Sequence, residues 1–318
     1  MCVKAIVTGA AGFVGSHLSE LLLSEGHQVI GIDVFTENYS RELKENNLRH
    51  AISNNDFHFL RLDLAEENLN GLPAVDVVFH LAAQPGVRDS WGESFPTYLT
   101  RNLLSTQRLL ERYKENPEVK FVVASSSSVY GNAKFLPIQE EASLNPISPY
   151  GVTKLSMERL LFAYHQTYKI NVNMLRYFTL YGPRQRPDMA FNRFISCCIN
   201  GEPLTIFGDG TQIRDFTFVG DAVRATVDSI RCCNGFEAYN IAAGKTIKLS
   251  DTIKIIEDIS ERPISVEFRS AQRGDAYATH ADIRKAVNAF GYSPTTSLVD
   301  GLTQQFKWQA HLTQDHIR

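Results

Sequence analysis

Tyr150 and Lys154 lie four positions apart in the run Tyr150-Gly151-Val152-Thr153-Lys154, which opens a predicted helix and so carries phenol and ammonium on one face. A free phenol titrates near about pH 10 and is a poor base at neutral pH, but a neighbouring ammonium favours the phenolate. Alone, this spacing is common and marks no more than a solvated helix face. Upstream, Ala124-Ser125-Ser126-Ser127-Ser128-Val129-Tyr130-Gly131 puts four consecutive hydroxyls at the carboxyl end of a predicted strand. Such a row makes a poor core and a good set of donors at the lip of a parallel sheet, where doubly wound sheets bind ligands. Together the two segments point to a proton-transfer site.

A second constellation lies near the N-terminus. Thr8-Gly9-Ala10-Ala11-Gly12-Phe13-Val14-Gly15 follows an apolar strand run and opens a helical pattern. Gly9 permits the tight turn, Gly12 lets backbone approach a pyrophosphate, and Gly15 lets helix pack close on strand. The helix then presents free N–H groups to phosphates. The spacing is G-x-x-G-x-x-G rather than G-x-G-x-x-G, but strand, turn, helix and second strand all fall in place. Asp33 ends that second strand, 18 residues after Gly15. A carboxylate there accepts from the adenosine ribose hydroxyls and repels a 2′-phosphate. Val34, Phe35 and Thr36 offer no arginine to that phosphate, so NAD is expected over NADP. A cationic nicotinamide beside Tyr150 would favour its phenolate further.

The elements that must position these groups can be read from periodicity. Val3–Val7, Gln28–Ile32, Phe57–Leu62, Val75–Leu81, Lys120–Ala124 and Asn171–Tyr177 read as strands, several apolar on both faces as buried parallel strands are. Phe13–Leu23, roughly Phe95–Tyr113 and Pro149–Tyr168 carry apolar residues at helical spacing. This alternation predicts an α/β fold, a doubly wound parallel sheet of Rossmann type, with a smaller C-terminal α/β substrate domain. The expected boundary separates residues 1–179 from 180–318, with about 219–243 rejoining the first sheet as a helix (Asp221–Ile230) and a strand (Tyr239–Ile241). Beyond Arg176 the segments YGPRQRPD and FGDGTQIRD read as loops, and shorter helices are expected near Arg193–Ile199, Leu249–Ser260 and Ile283–Phe290.

Composition narrows the class. The 318 residues are 43% apolar and 21% charged, which excludes disordered, collagen-like and disulfide-rich chains. Lys plus Arg (32) against Asp plus Glu (35) leaves a net charge of −3, with no electrostatic drive towards nucleic acid. No apolar run approaches the roughly eighteen residues of a membrane span, and the N-terminal run is too short for a signal peptide. Cys2, Cys197-Cys198 and Cys232-Cys233 have no metal-binding spacing, and the two pairs read as packing residues in a reducing compartment. No metal is expected, and a cytoplasmic location is.

The motifs resemble the extended short-chain dehydrogenase/reductases, specifically the NAD-dependent nucleotide-sugar epimerases, and most closely the UDP-glucuronic acid 4-epimerases. The resemblance spans nearly the full length. It rests on TGAAGFVG (8–15), Asp33, Asp63-Leu64, HLAAQ (80–84), Asn102, the Ser126/Tyr150/Lys154 set, RYFTLYGPRQRPDMAF (176–191) and FGDGTQIRDFTFVGD (207–221). It implies that Gly9, Gly12, Phe13, Val14, Gly15, Asp33, Asn102 and Tyr177 bind NAD, with Asp63 and Leu64 at adenine. Leu81, Ala82, Ala83 and Gln84 would line the diphosphate and ribose side. Lys154 would hold the nicotinamide ribose, Tyr150 would be the base, and Ser126 would bond the reacting hydroxyl. Arg214 and Arg273 would grip the nucleotide-sugar phosphates, a role suited to forked, charged donors, with Asp275 in the same substrate-contacting segment.

Family members begin by removing hydride from sugar C4 as Tyr takes a proton, and then diverge. Relatives that eliminate water or lose a C6 carboxylate carry an acidic residue two before the tyrosine of the V-Y-G motif, where this chain has Ser128. Ser127 stands where dehydratases often carry Asp. The resemblance therefore implies 4-epimerisation: the keto sugar turns its other face and takes the hydride back. PGVRDSW (85–91), the 181–191 segment and Thr179, which replaces the Asn usual in UDP-galactose 4-epimerases, favour UDP-glucuronate. Arg88, Arg186 and Arg193 add cations near the site. A 4-keto uronate is a β-keto acid that loses CO2 when its carboxylate stands perpendicular to the ketone plane. Ser127, Ser128, Thr179 and Arg186 are expected to hold the carboxylate out of that alignment. The alternatives are a UDP-glucose or UDP-N-acetylglucosamine 4-epimerase, a UDP-glucuronate decarboxylase, and a non-catalytic NAD-binding regulator. The helices near 95–113 and 149–168 are expected to form a four-helix homodimer contact, as in relatives.

Overall fold

Aliphatic runs become the strands they predict. The computed structural model describes residues 2–270 and 278–315. In it β1 (Lys4–Thr8), β2 (Gln28–Asp33), β3 (Phe57–Arg61), β4 (Val77–His80), β5 (Lys120–Ser126) and β6 (Asn171–Tyr177) fall on the six predicted runs. β7 (Thr179–Tyr181), β8 (Leu204–Phe207), β9 (Ile213–Phe218), β10 (Phe236–Ile241), β11 (Thr246–Lys248) and β12 (Val266–Arg269) follow. The main sheet has seven parallel strands in the order β10-β6-β5-β4-β1-β2-β3. The strand expected at Tyr239–Ile241 does return, pairing Phe236 with Val172 through to Ile241 with Tyr177. This is the doubly wound arrangement, with its switch point between β1 and β4.

Alternate residues of each strand enter opposite layers. Ala5 and Val7 join one cluster, with Leu18 and Leu22 of α1 (Phe13–Ser24), Leu48 of α2 (Arg41–Ile52), Val223 of α7 (Val219–Asp228) and Phe290 of α9 (Arg284–Phe290). Ile6 joins the other, with Leu109 and Leu110 of α4 (Ser105–Tyr113) and Met157 and Leu161 of α5 (Pro149–Tyr168). A third cluster gathers α6 (Ala190–Asn200), α8 (Leu249–Ser260) and α10 (Leu298–Asp315) over β8 and β9, around Phe191, Ile206, Phe216, Ile256 and Leu302. Small sheets β11-β9-β7 and β12-β8 complete this part.

Three expectations are corrected. The helix read over Phe95–Tyr113 is not continuous: a turn of α3 (Phe95–Tyr98) passes into a π segment over Leu99–Leu104 before α4 begins. The wider turn points Asn102 inward, where its amide bonds the Gln84 backbone in both directions and Thr153 Oγ1 at 3.0 Å. The segment FGDGTQIRD is only half loop, because Ile213–Asp215 opens β9. Asp215 is tolerated there because its carboxylate accepts the Ala243 and Ala281 N–H groups at 2.9 and 3.2 Å. α2 and α10 were not predicted, since their buried faces include polar side chains: Lys44 and Asn47 in one, Gln305 and Gln309 in the other.

Candidate active site

A cavity of about 1180 Å³ opens above the carboxyl ends of β1, β2, β4 and β5 and runs on to β7, α6 and β8. That volume exceeds what one drug-sized ligand needs and suits a dinucleotide with a second nucleotide. Of the expected NAD residues, Gly9, Gly12, Phe13, Val14, Gly15, Asp33, Asp63, Leu64, Leu81, Ala82, Ala83, Gln84, Tyr150, Lys154 and Tyr177 line it. Asn102 does not: it is buried behind the wall and fixes Gln84 from there. Tyr177 lines the cavity while its hydroxyl pairs with Thr226 Oγ1 at 2.6 Å. Of the expected substrate residues, Arg88, Ser126, Ser127, Ser128, Thr179, Arg186, Arg193 and Arg214 line the cavity. Arg273 and Asp275 lie outside the described residues.

The glycine turn fits a dinucleotide on geometry. A Cβ on Gly15 would sit 2.1 Å from the Gly9 carbonyl oxygen, so the helix start meets the turn with no room for a side chain. Asp33 ends β2 with Oδ2 accepting the Ala11 N–H at 3.1 Å and Oδ1 the Phe35 N–H at 2.8 Å. Tyr39 Oη is buried in the cavity wall without a hydrogen-bond partner, an unmet need that a polar ligand would fill. Beyond β3, Asp63 pairs with Arg101 and accepts the Ala65 N–H at 2.9 Å. Burial works to raise that carboxyl, but Arg101 and the backbone donors outweigh it and hold it below the usual carboxylate range.

The residues expected to transfer protons, Ser126, Tyr150 and Lys154, are brought together by the start of α5. Ser148 caps the helix, accepting the Gly151 N–H at 3.1 Å, and Pro149 supplies the preset first turn. Gly151 lets this first turn press on the serine turn: a Cβ there would lie 2.6 Å from the Ser128 carbonyl oxygen. That contact holds the start of α5 against the serine turn, with Tyr150 beside Ser126. Ser126 Oγ also accepts the Ser128 N–H at 3.1 Å, which curls Ser127–Val129 into a 3-10 turn. Lys154, buried one turn on, donates to the Ala124 carbonyl at 2.8 Å.

Burial raises the Tyr150 phenol above its ordinary value, while the Ser126 hydroxyl and the positive charge of Arg186 work to lower it. Sequence reasoning credits Lys154 with that lowering; in the protein, Ser126 and Arg186 supply it. Burial also draws Lys154 down to about 8, with Glu158 working against it.

The sequence matches the NAD dependent epimerase/dehydratase family over residues 5–242. The chain belongs to this family. It is 45% identical over 315 residues to an uncharacterised Bacillus subtilis protein named as a UDP-glucose epimerase, covering 98% of this chain and 99% of that one. It is 36% identical over 309 residues to a UDP-glucuronate 4-epimerase of Thermodesulfobacterium geofontis, covering 95% of each. The crystal structure of Bacillus cereus UDP-glucuronic acid 4-epimerase, in complex with UDP-glucuronic acid and NAD, superimposes with a TM-score of 0.94 at 44% identity, covering 97% of this chain and 99% of that one.

Lys44, Tyr39, Arg101 and Asp188 are among the cavity residues that the sequence reading missed. Lys44 donates to Thr36 beside Asp33, and Tyr39 stacks under its ammonium at 4.7 Å. Burial lowers Lys44, opposed by the Asp33 charge. Their signal was a helix whose inner face is polar, with Lys44 and Asn47 where apolar residues belong. Arg101 is the cation opposite Asp63. Asp188 occupies Arg186 with two bonds of 2.9 and 2.8 Å, so the arginine expected to meet a sugar carboxylate already holds one. On the opposite wall Arg88 stacks over the Phe207 ring at 4.7 Å. Among the described residues no group of three or more His, Cys, Asp or Glu is placed to hold a metal, and no helix is long and apolar enough to cross a membrane.

Proposed function

We propose that the chain is an NAD-dependent 4-epimerase of a UDP-sugar, converting UDP-glucuronate to UDP-galacturonate. The observation that carries this is a single cavity joining an NAD-type glycine turn to the Ser126–Tyr150–Lys154 centre, with a row of hydroxyls and cations beyond it. NAD, when bound, is the reversible hydride acceptor for sugar C4. Tyr150 takes the C4 hydroxyl proton at Oη as the hydride leaves and gives a proton back as the hydride returns to the other face of the turned keto sugar, so C4 is inverted with no net oxidation. Ser126 donates to the reacting oxygen and orients it. Lys154 holds the nicotinamide ribose with its ammonium, while Ser126 and Arg186 favour the Tyr150 phenolate. The hydroxyls of Ser127, Ser128 and Thr179, with Arg186, hold the C6 carboxylate, and Arg88, Arg193, Arg214 and Arg273 serve the nucleotide diphosphate and sugar. Ser128 in place of an acid leaves the centre without a proton donor for elimination.

Residues 1–179 with the returning α7–β10 segment form the cofactor-binding domain, and the remainder binds the nucleotide sugar. A homodimer through α3–α5 is supported by Leu99, Leu104, Val152 and Phe162, which are all exposed there. Free cysteines and a nucleotide-sugar substrate fit a cytoplasmic enzyme.

The test is an NMR product assay of purified protein with catalytic NAD, given UDP-glucuronate and UDP-glucose separately. UDP-galacturonate without CO2 or net NADH is expected. Turnover of UDP-glucose alone would keep the mechanism and overturn the carboxylate site, and UDP-pentose would overturn Ser128 as the discriminator. Tyr150→Phe removes the proton acceptor while keeping the ring, so turnover should vanish with NAD still bound.

A further inference from the structure

Beneath the proton-transfer centre lies a buried ion pair to which the reading above gives no task. Glu158 follows Lys154 by one helical turn on α5, so Tyr150, Lys154 and Glu158 share a face. Glu158 and its partner Arg176 on β6 have side chains only 4% and 6% exposed. Arg176 forks onto the carboxylate, Nε to Oε1 at 3.0 Å and Nη2 to Oε2 at 2.8 Å. Its Nη1 donates to the Tyr130 hydroxyl at 2.9 Å and the Glu140 carbonyl at 2.8 Å. Glu158 Oε1 also accepts from Ser125 Oγ at 2.6 Å. Ser125 sits opposite Arg176 in the β5–β6 register. Its two neighbours are the residues the centre uses: Ala124, whose carbonyl receives Lys154, and Ser126, beside Tyr150.

A buried pair of this kind is weak support for stability, since well-packed apolar residues of like volume do as well. The count of charges points to another purpose. One carboxylate is set against two buried cations, Arg176 and Lys154. The groups facing Lys154 are Glu158 on its own helix, the Ala124 carbonyl on β5 and His80 on β4. Burial holds His80 down to about 3, so that ring is neutral and leaves the ammonium no anion but Glu158 among these groups. Glu158 in turn faces Arg176 from β6 and Tyr130 from the serine turn.

We propose that Glu158 is a positioning residue of the proton-transfer centre: its charge keeps Lys154 cationic, and its bond to Ser125 fixes the end of β5 that carries Ala124 and Ser126. This rests on Tyr150 and Lys154 as the working pair. Both roles act through other residues, and they separate experimentally. Glu158→Gln keeps size and acceptor but removes the charge. In the folded, NAD-loaded variant the alkaline limb of the kcat–pH profile should move to lower pH by about one unit, the lower end for loss of a near opposite charge. A purely structural role would scale the profile without moving that limb. Ser125→Ala keeps the charge and cuts the tie to β5, so kcat should fall several-fold with the limb in place. Should Glu158→Gln not fold, Glu158→Gln/Arg176→Met leaves no unpaired cation from the pair. The limb should still move to lower pH, by less than in the single variant, because the repelling Arg176 charge goes as well. An unmoved limb overturns the electrostatic role, and a Ser125→Ala enzyme at wild-type rate overturns the tie to β5. Tyr150→Phe distinguishes the levels. If that variant turns over, the base assignment fails; if it is dead while the limb stays put, only the role of Glu158 fails.

Discussion

Gly151→Ala adds one methyl group where the catalytic helix meets the serine turn. Its Cβ would lie 2.6 Å from the Ser128 carbonyl oxygen and 2.9 Å from Pro146 Cβ, neither of them the free end of a flexible side chain. Close carbon–oxygen approaches settle at about 3.3–3.6 Å, so α5 and the turn must part by about 0.7–1 Å. Overpacking of this kind costs about 1–3 kcal/mol, and alanine recovers about 1 kcal/mol of helix propensity over glycine. Net stability therefore changes little, by about 0–2 kcal/mol. The rate is more sensitive, because the same parting moves Tyr150 away from Ser126, and a misplacement of about 1 Å costs on the order of a hundredfold. The expected variant melts within a few degrees of wild type, retains NAD, and epimerises 10- to 100-fold more slowly by a rough application of that figure. Calorimetry and the NMR product assay measure the two quantities on one preparation. A folded variant with kcat within about twofold of wild type would refute the claim that this contact sets the Tyr150–Ser126 geometry.

Thr179→Ala and Arg186→His should each divert part of the flux from UDP-galacturonate to CO2 and UDP-pentose, because the carboxylate of the keto intermediate then turns towards the perpendicular alignment; unchanged partitioning in both variants would sink the carboxylate-holding role. Acid should destabilise the protein through two buried histidines: burial, with Arg184, holds His17 down to about 4, and burial holds His80 down to about 3. Both rings are neutral when folded and protonate when unfolded, so their stabilisation is complete above about pH 6.5 and is lost as pH falls towards the folded values, on the order of 3 kcal/mol each at pH 4. Burial raises Asp215 to about 6, which acts in the opposite direction between about pH 6 and 3.8 and offsets part of the loss. A melting temperature that holds level from pH 7 to 4.5 would contradict this balance, and His80→Asn should flatten the slope if the variant folds.

The central sheet was legible because parallel strands buried on both faces leave unbroken aliphatic runs, as in Val77–His80, where every residue is buried. The glycine turn was legible because close packing forbids side chains at Gly15. What escaped the reading shares one physical cause. α2 buries Lys44 and Asn47, and Asn47 Nδ2 donates to the Ala11 carbonyl at 3.0 Å, so the helix supports the glycine turn through polar contacts that blur its apolar stripe. α10 likewise buries Gln305, whose Oε1 accepts the Gly182 N–H at 2.9 Å, beneath the loop that carries Arg186. Asp215 hides β9 in the same way. Polar residues on an inner face lower the periodic signal where a loop of the site must be held from behind. The π segment around Asn102 has no periodic signature at all, because the inserted residue changes the turn without changing composition.

The two arginine–carboxylate pairs near Tyr150 show how burial separates scaffold from site. Arg176 and Glu158 are both sealed from water, so removing either partner strands a charge, and the pair has no alternative arrangement. Arg186 is mostly buried, at 20% exposed, but its partner Asp188 is 49% exposed and can be hydrated at little cost. On the proposed reading, a uronate carboxylate entering the cavity replaces Asp188 on the same fork of donors, and Asp188 turns to solvent. The exchange keeps one carboxylate on the guanidinium throughout, so Arg186 is never left unpaired. A neutral hexose has no carboxylate to offer and leaves Arg186 on Asp188. Discrimination between the two sugars then rests on the difference between a rim carboxylate that water can receive and a substrate carboxylate held by Ser127, Ser128 and Thr179.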